Sequence, residues 1–190
     1  SGFGMVTAKK CVEHGAKVVL AARREDRLKD LCESLGSDNA IFMATDVTRK
    51  EDLNNIVKYG IDTFNQIDSL VNNAGIMPLS FIEQGRTDEW DQMIDVNIKG
   101  VLYAIDAVYS HMMERGSGQI INISSVAGKR LIPGSAVYSG TKFAVAAISE
   151  GLRIESEGKL QVTCIFPGAF ETELGASIKD EKMLEYLTSE

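Results

Sequence analysis

The chain has 190 residues, 44% of them hydrophobic and 25% charged; this is enough for one substantial core and close to globular averages, which excludes disordered, collagen-like and coiled-coil chains. Its 27 acidic against 20 basic residues give a formal charge of −7, the wrong sign for nonspecific nucleic-acid binding, and no apolar run approaches the ~18 residues of a membrane span. Three widely spaced cysteines (Cys11, Cys32, Cys164) and two isolated histidines (His14, His111) suggest neither a disulfide framework nor a metal centre, and a reducing cytoplasm is expected.

In chain order, "SGFGM" leads into a helical pattern over residues 4–14. Gly2 and Gly4 would let the backbone approach a pyrophosphate at the positive end of that helix, although such glycines are also an ordinary tight turn. A strand follows at 17–22 ("KVVLAA"). At its end an acid would accept bonds from both ribose hydroxyls of NAD, but Ala22 is not acidic; Arg23 and Arg24 instead offer guanidinium forks to a phosphate on the 2′ oxygen, which favours NADP. The bland alternative is a solvated basic start to the helix at 25–35. After the strand at 40–45 come Asp46 and Val47, a carboxylate and an apolar contact suited to an adenine, or else a helix cap. Thr48 and Glu51 make a capping box for the helix at 50–65.

The strand at 69–72 runs into "NNAGI", residues 72–76, which reads either as a turn or as bare backbone on which a flat nucleotide lies. A long helix at 88–114 carries Asn97 in "DVNIKG". This amide is either satisfied by interior backbone or opens the helix and anchors a water that feeds protons to Lys142. A strand at 119–123, a helix at 137–157, a strand at 161–166 and an acidic helix at 179–190 complete the chain. Val- and Ile-rich runs alternating with helical periods give an α/β fold: a single-domain, Rossmann-type, doubly wound parallel sheet, with ligands bound beyond the carboxyl ends of its strands.

Tyr138 and Lys142 are four residues apart, one turn on one helix face. A phenol titrating at about 10 must fall to about 7 to exchange protons at neutrality, worth roughly 4 kcal/mol, and a neighbouring ammonium acts in that direction. Lys142 can also hydrogen-bond a ribose. Such pairs are commonly mere surface neighbours, but Ser125, thirteen residues before Tyr138, stands at the carboxyl end of a strand, where its hydroxyl would donate to a substrate oxygen. Ser124 competes for that role, and strand alternation points the two serines to opposite faces.

In this order "SGFG", NNAG at 72–75, Asn97, Ser125, the YxxxK of Tyr138 and Lys142, and "PGAFET" at 167–172 resemble the short-chain dehydrogenase/reductase family over nearly the whole chain. The resemblance implies an NADP(H)-dependent oxidoreductase acting on a small-molecule carbonyl/alcohol substrate. Tyr138 would be the general acid/base, with Lys142 lowering its pKa and binding the nicotinamide ribose, Ser125 orienting the reacting oxygen and Asn97 completing a proton relay. It also implies that Asp46 and Val47 face adenine, that Asn73, Ala74 and Gly75 line the cofactor, and that Pro167, Gly168, Phe170 and Thr172 meet the nicotinamide amide. A homodimer or homotetramer through the two long helices is implied too.

"GFG" with "ARRxxRL" further resembles reductases of 3-hydroxy acids, for which Lys129 and Arg130 would meet a carboxylate unless merely solvated. The competing readings are a catalytically silent nucleotide-binding or scaffold protein, and an isomerase or dehydratase using the same site. Relative to the family, the first strand, first glycine and final strand are lacking. In the order 3-2-1-4-5-6-7 the first strand lies mid-sheet, so its two neighbours would show unpaired backbone to the interior. The chain is therefore expected to be part of a polypeptide of about 250 residues.

Overall fold

A computed structural model describes residues 2–170 and 173–189. Alternation of apolar runs and helical periods produces the expected parallel architecture: β1 (Val18–Ala22) pairs with β2 (Ala40–Ala44), and β4 (Gly118–Ile123) lies between β3 (Ser69–Asn72) and β5 (Leu160–Ile165). Register is set by residues such as Val18 opposite Ala40, Leu70 opposite Ile120, and Ile120 opposite Val162. Among the described residues these strands form two sheets, β1-β2 and β3-β4-β5, and no ladder joins β1 to β3. Val71 on β3 is 37% exposed.

Helices fill the connections: α1 (Gly2–Glu13), α2 (Glu25–Leu35), α3 (Lys50–Phe64), α4 (Thr87–Ile94), α5 (Gly100–Arg115), α6 (Ala136–Glu155) and α7 (Glu181–Ser189). On α5 the buried residues Val101, Ala104, Ile105, Val108 and Met112 recur at helical spacing, and this stripe meets Ile120 of β4, Val145 and Leu152 of α6, and Leu160 and Val162 of β5. Ala8, Leu20, Leu28 and Ala40 make a second, smaller core around β1 and β2. Helix ends follow backbone chemistry, with Asn65 (φ 67°) and Gly116 (φ 69°) closing α3 and α5 in the left-handed region.

Two expectations are corrected. The helix expected over 88–114 is three pieces, because a π-helical turn, Asp95–Lys99, separates α4 from α5. The start of α3 is not capped by Thr48 and Glu51. Asp46 Oδ1 accepts from Thr48 N at 3.0 Å, and Asp52 accepts from Asp46 N at 3.0 Å, so two carboxylates serve the backbone there. At the far end Asp180, 3% exposed, accepts from Met183 N at 2.8 Å and from Arg86 Nε at 3.1 Å, which pins α7 to the start of α4.

Candidate active site

The carboxyl ends of β3, β4 and β5 converge with the start of α6 on one group of side chains. Tyr138, only 5% exposed, sits in the first turn of α6 against Leu79, Met93 and Met183. Lys142, one turn on, is 6% exposed; its ammonium donates to Ile123 O at 2.9 Å and lies 5.8 Å from the Tyr138 ring centroid. Burial brings this ammonium down to about 8. The serines part as alternation requires: Ser124 donates to Lys142 O at 2.9 Å and braces α6, whereas Ser125 reaches the Tyr138 hydroxyl and accepts from Ala127 N at 3.1 Å.

The direction expected for the phenol is corrected. Burial pushes Tyr138 above its ordinary value, and the hydrogen bond from Ser125 only opposes that rise. Lys142 spends its hydrogen bond on the β4 carbonyl, so a buried, protonated phenol is what this arrangement holds.

Asn97, 1% exposed, occupies the π-helical turn. Its Oδ1 accepts from Ile76 N at 2.9 Å, and its Nδ2 donates to Ile76 O at 2.9 Å and to Thr141 Oγ1 at 3.1 Å. The helix does open at Asn97, and its amide is satisfied by the Ile76 backbone and Thr141, which fixes the strand-end loop against α6. Asn97 and Lys142 approach each other over Gly75, where a Cβ would lie 3.4 Å from Asn97 Oδ1 and 3.5 Å from Lys142 Nζ.

Around this group lie the residues expected to meet a dinucleotide. Gly2 has φ 52°, and a Cβ on Gly4 would come within 2.9 Å of Asn73 Nδ2, so the bare backbone of α1 meets the Asn73 side-chain amide of the NNAG loop. Arg23 lines a hollow of about 540 Å³ with Asp46 and Thr48, and its other wall is acidic, formed by Asp88, Glu89, Asp91 and Asp95. Asp46 also accepts from Thr48 Oγ1 at 2.8 Å, and its carboxyl is held below the ordinary range, first by the backbone bond from Thr48. Val47 packs against Gly100, where a Cβ would be 2.8 Å from Val47 Cγ2.

Pro167 O accepts from Val126 N at 2.9 Å, tying the loop after β5 to the turn that Ser125 caps. Gly168 is exposed, and Phe170 meets Phe3 edge-on at 5.1 Å between centroids. Thr172 lies outside the described residues. Lys129 stands 4.2 Å over the Phe166 ring.

The sequence reading missed Arg27 and Glu173. Arg24 Nη2 donates to Glu173 Oε2 at 2.8 Å and Arg27 Nη1 donates to Glu173 Oε1 at 2.6 Å, so the Arg24 fork already holds a carboxylate. A signal was present in the spacing, since Arg24 and Arg27 are three apart at a helix start and share a face. Nothing local marks their acidic partner, which is 149 and 146 positions away.

Comparison with known proteins accords with this geometry. The short chain dehydrogenase family matches residues 1–183. An uncharacterized oxidoreductase of Staphylococcus saprophyticus is 50% identical over 186 residues, covering 96% of this chain and 76% of the relative. The closed form of serine dehydrogenase complexed with NADP+ superposes with a TM-score of 0.90 at 34% identity, covering 97% of this chain and 76% of that one. The 3-ketoacyl-(acyl-carrier-protein) reductase from Brucella melitensis complexed with NADH gives 0.89 at 32% identity, covering 94% and 76%. With its YxxxK helix, its strand-end serine and its parallel sheet all in place, the chain belongs to the short-chain dehydrogenase family of oxidoreductases.

Proposed function

We propose that the protein is an NADP(H)-dependent oxidoreductase that interconverts a small carbonyl compound and its alcohol, with Tyr138 as general acid/base. The observation that carries this is the buried Tyr138 phenol, bonded by Ser125 and one turn from a buried Lys142 ammonium. Gly2, Gly4, Asn73, Ala74 and Gly75 would hold the dinucleotide against bare backbone, Arg23 and Arg24 its 2′ phosphate, Asp46 and Val47 its adenine, and Pro167, Gly168, Phe170 and Thr172 its carboxamide end. The bound nicotinamide supplies or takes up the hydride.

The chain's own work is to place and move one proton. In reduction, Ser125 donates to the carbonyl oxygen and holds it beside Tyr138, which passes its phenolic proton to that oxygen as alkoxide character develops. A raised phenol suits this direction because the acid is fully protonated at neutrality. The Lys142 ammonium stabilises the phenolate left behind, and Asn97 holds the loop against which the cofactor lies. In oxidation the same proton returns, and burial then opposes the first deprotonation. Tyr138→Phe is expected to abolish turnover while leaving NADPH affinity within about twofold of wild type, since it removes one hydroxyl. Surviving turnover refutes the mechanism, and loss of NADPH binding in Arg23→Ala without loss of NADH binding supports the cofactor assignment.

The serine dehydrogenase likeness supports a small hydroxy acid as the alcohol. Arg130 is the candidate for its carboxylate, Lys129 being engaged with Phe166; a substrate panel followed by NADPH absorbance tests the class. Exposed Leu102 on α5 (44%) and Phe143 on α6 (42%) support self-association through the two long helices, which sedimentation measures.

A further inference from the structure

Arg24 precedes α2 and Arg27 lies in its first turn, and both donate to the same carboxylate, Glu173. All three side chains are about half exposed, at 48%, 50% and 51%. The carboxyl is held down to about 2, chiefly by the bond from Arg27 and then by that from Arg24, so it is an anion throughout the working pH range. Glu173 stands just beyond the loop after β5, whose Pro167 is tied to the Ser125 turn and whose Phe170 meets Phe3 at the start of α1. On the far side Ser177 Oγ accepts from Met77 N at 3.3 Å. The loop is thus attached at both the catalytic end and the adenosine end of the crevice.

A guanidinium fork binds a carboxylate and a phosphate with the same donors and the same planar geometry. We propose that Glu173 is a specificity-determining residue: its carboxylate competes with the 2′ phosphate of the cofactor for Arg24 and Arg27, and so narrows the preference for NADPH over NADH. The inference rests on the reading of Arg24 as a phosphate ligand. A phosphate arriving at Arg24 has either to displace Glu173 or to lie beside it, anion against anion. The unphosphorylated dinucleotide carries a hydroxyl there and leaves both ion pairs intact. Removing the carboxylate's charge is therefore felt by one cofactor and not the other, and specificity is that difference.

The test is a set of NADPH and NADH dissociation constants, read from nicotinamide fluorescence at fixed ionic strength, for wild type, Glu173→Gln, Arg24→Ala and the double variant. Glu173→Gln is expected to tighten NADPH about fivefold and to leave NADH within about twofold, as suits exposed ion pairs. The tightening should shrink in the Arg24→Ala background, because one shared target is gone. If Glu173→Gln leaves NADPH unchanged or weakens it while Arg24→Ala weakens NADPH alone, the phosphate assignment stands and the competition is refuted. Equal weakening of both cofactors by Glu173→Gln makes it a latch for the loop and likewise refutes competition. If Arg24→Ala does not distinguish NADPH from NADH, the phosphate assignment itself fails and the inference with it.

Discussion

Lys142 is a cation whose burial costs more than its one carbonyl acceptor returns, which is why its ammonium titrates near 8 instead of 10.5. Between these values the unfolded chain keeps a proton that the folded protein has released, so stability contributed by this group rises with pH across that window. The fall from 10.5 to about 8 corresponds to roughly 3 kcal/mol. Urea unfolding of wild type and Lys142→Met should therefore diverge between pH 8 and 10.5, the wild type gaining up to that amount relative to the variant; parallel curves would show that the ammonium is not desolvated. Tyr138 shifts the other way, and the Ser125 hydroxyl restrains it. Ser125→Ala should move the phenol still higher, visible as a later tyrosinate absorbance step in difference spectra against Tyr138→Phe. An unmoved or earlier step would mean that Ser125 does not donate to the phenol.

At the scale of elements, the π-helical turn lets α4 and α5 continue as one rod while turning Asn97 inward, and the same register brings Gly100 against Val47. Gly100→Ala gains about 1 kcal/mol of helix propensity, but its Cβ at 2.8 Å from Val47 Cγ2 forces overpacking costing about 1–3 kcal/mol. Net destabilisation of about 1 kcal/mol is expected from that balance, and Val47→Ala should recover part of it in the double variant. Additive losses would place the strain elsewhere. The strands and helices were legible because apolar period and chain length fix them locally, and observed bounds for α2 and β3 coincide with those expected, 25–35 and 69–72. The break in the long helix was legible only through Asn97, a polar residue in an apolar stripe. The cap of α3 was misread because Asp46 and Asp52 satisfy the backbone across six positions, beyond the three of a capping box. The phenol's direction could not be read from spacing, since it depends on how deeply Leu79, Met93 and Met183 bury the ring.

Across the whole molecule, the two sheets have separate apolar cores and unequal support. β4 is hydrogen-bonded on both sides, Ile120 within it is fully buried, and α5 and α6 both pack on that core. The β1-β2 pair has one ladder and rests on Ala8, Leu20, Leu28 and Ala40, a much smaller apolar group. Burial scales with apolar area, so the smaller group stabilises its half less. Local opening should therefore be cheaper in the half that carries Arg23 and Arg24 than in the half that carries Ser125, Tyr138 and Lys142. Native-state hydrogen exchange resolves this: amides of β1 and β2 should exchange at lower opening free energy than those of β4, and Leu20→Ala should lower protection in the first set while sparing the second. If NADPH lies as proposed, from Arg23 to Lys142, it should raise protection of β1 and β2 disproportionately, because it would bridge the halves and stabilise the weaker one most. Uniform protection, with or without NADPH, would mean that the smaller apolar group supports its half as well as the larger one does.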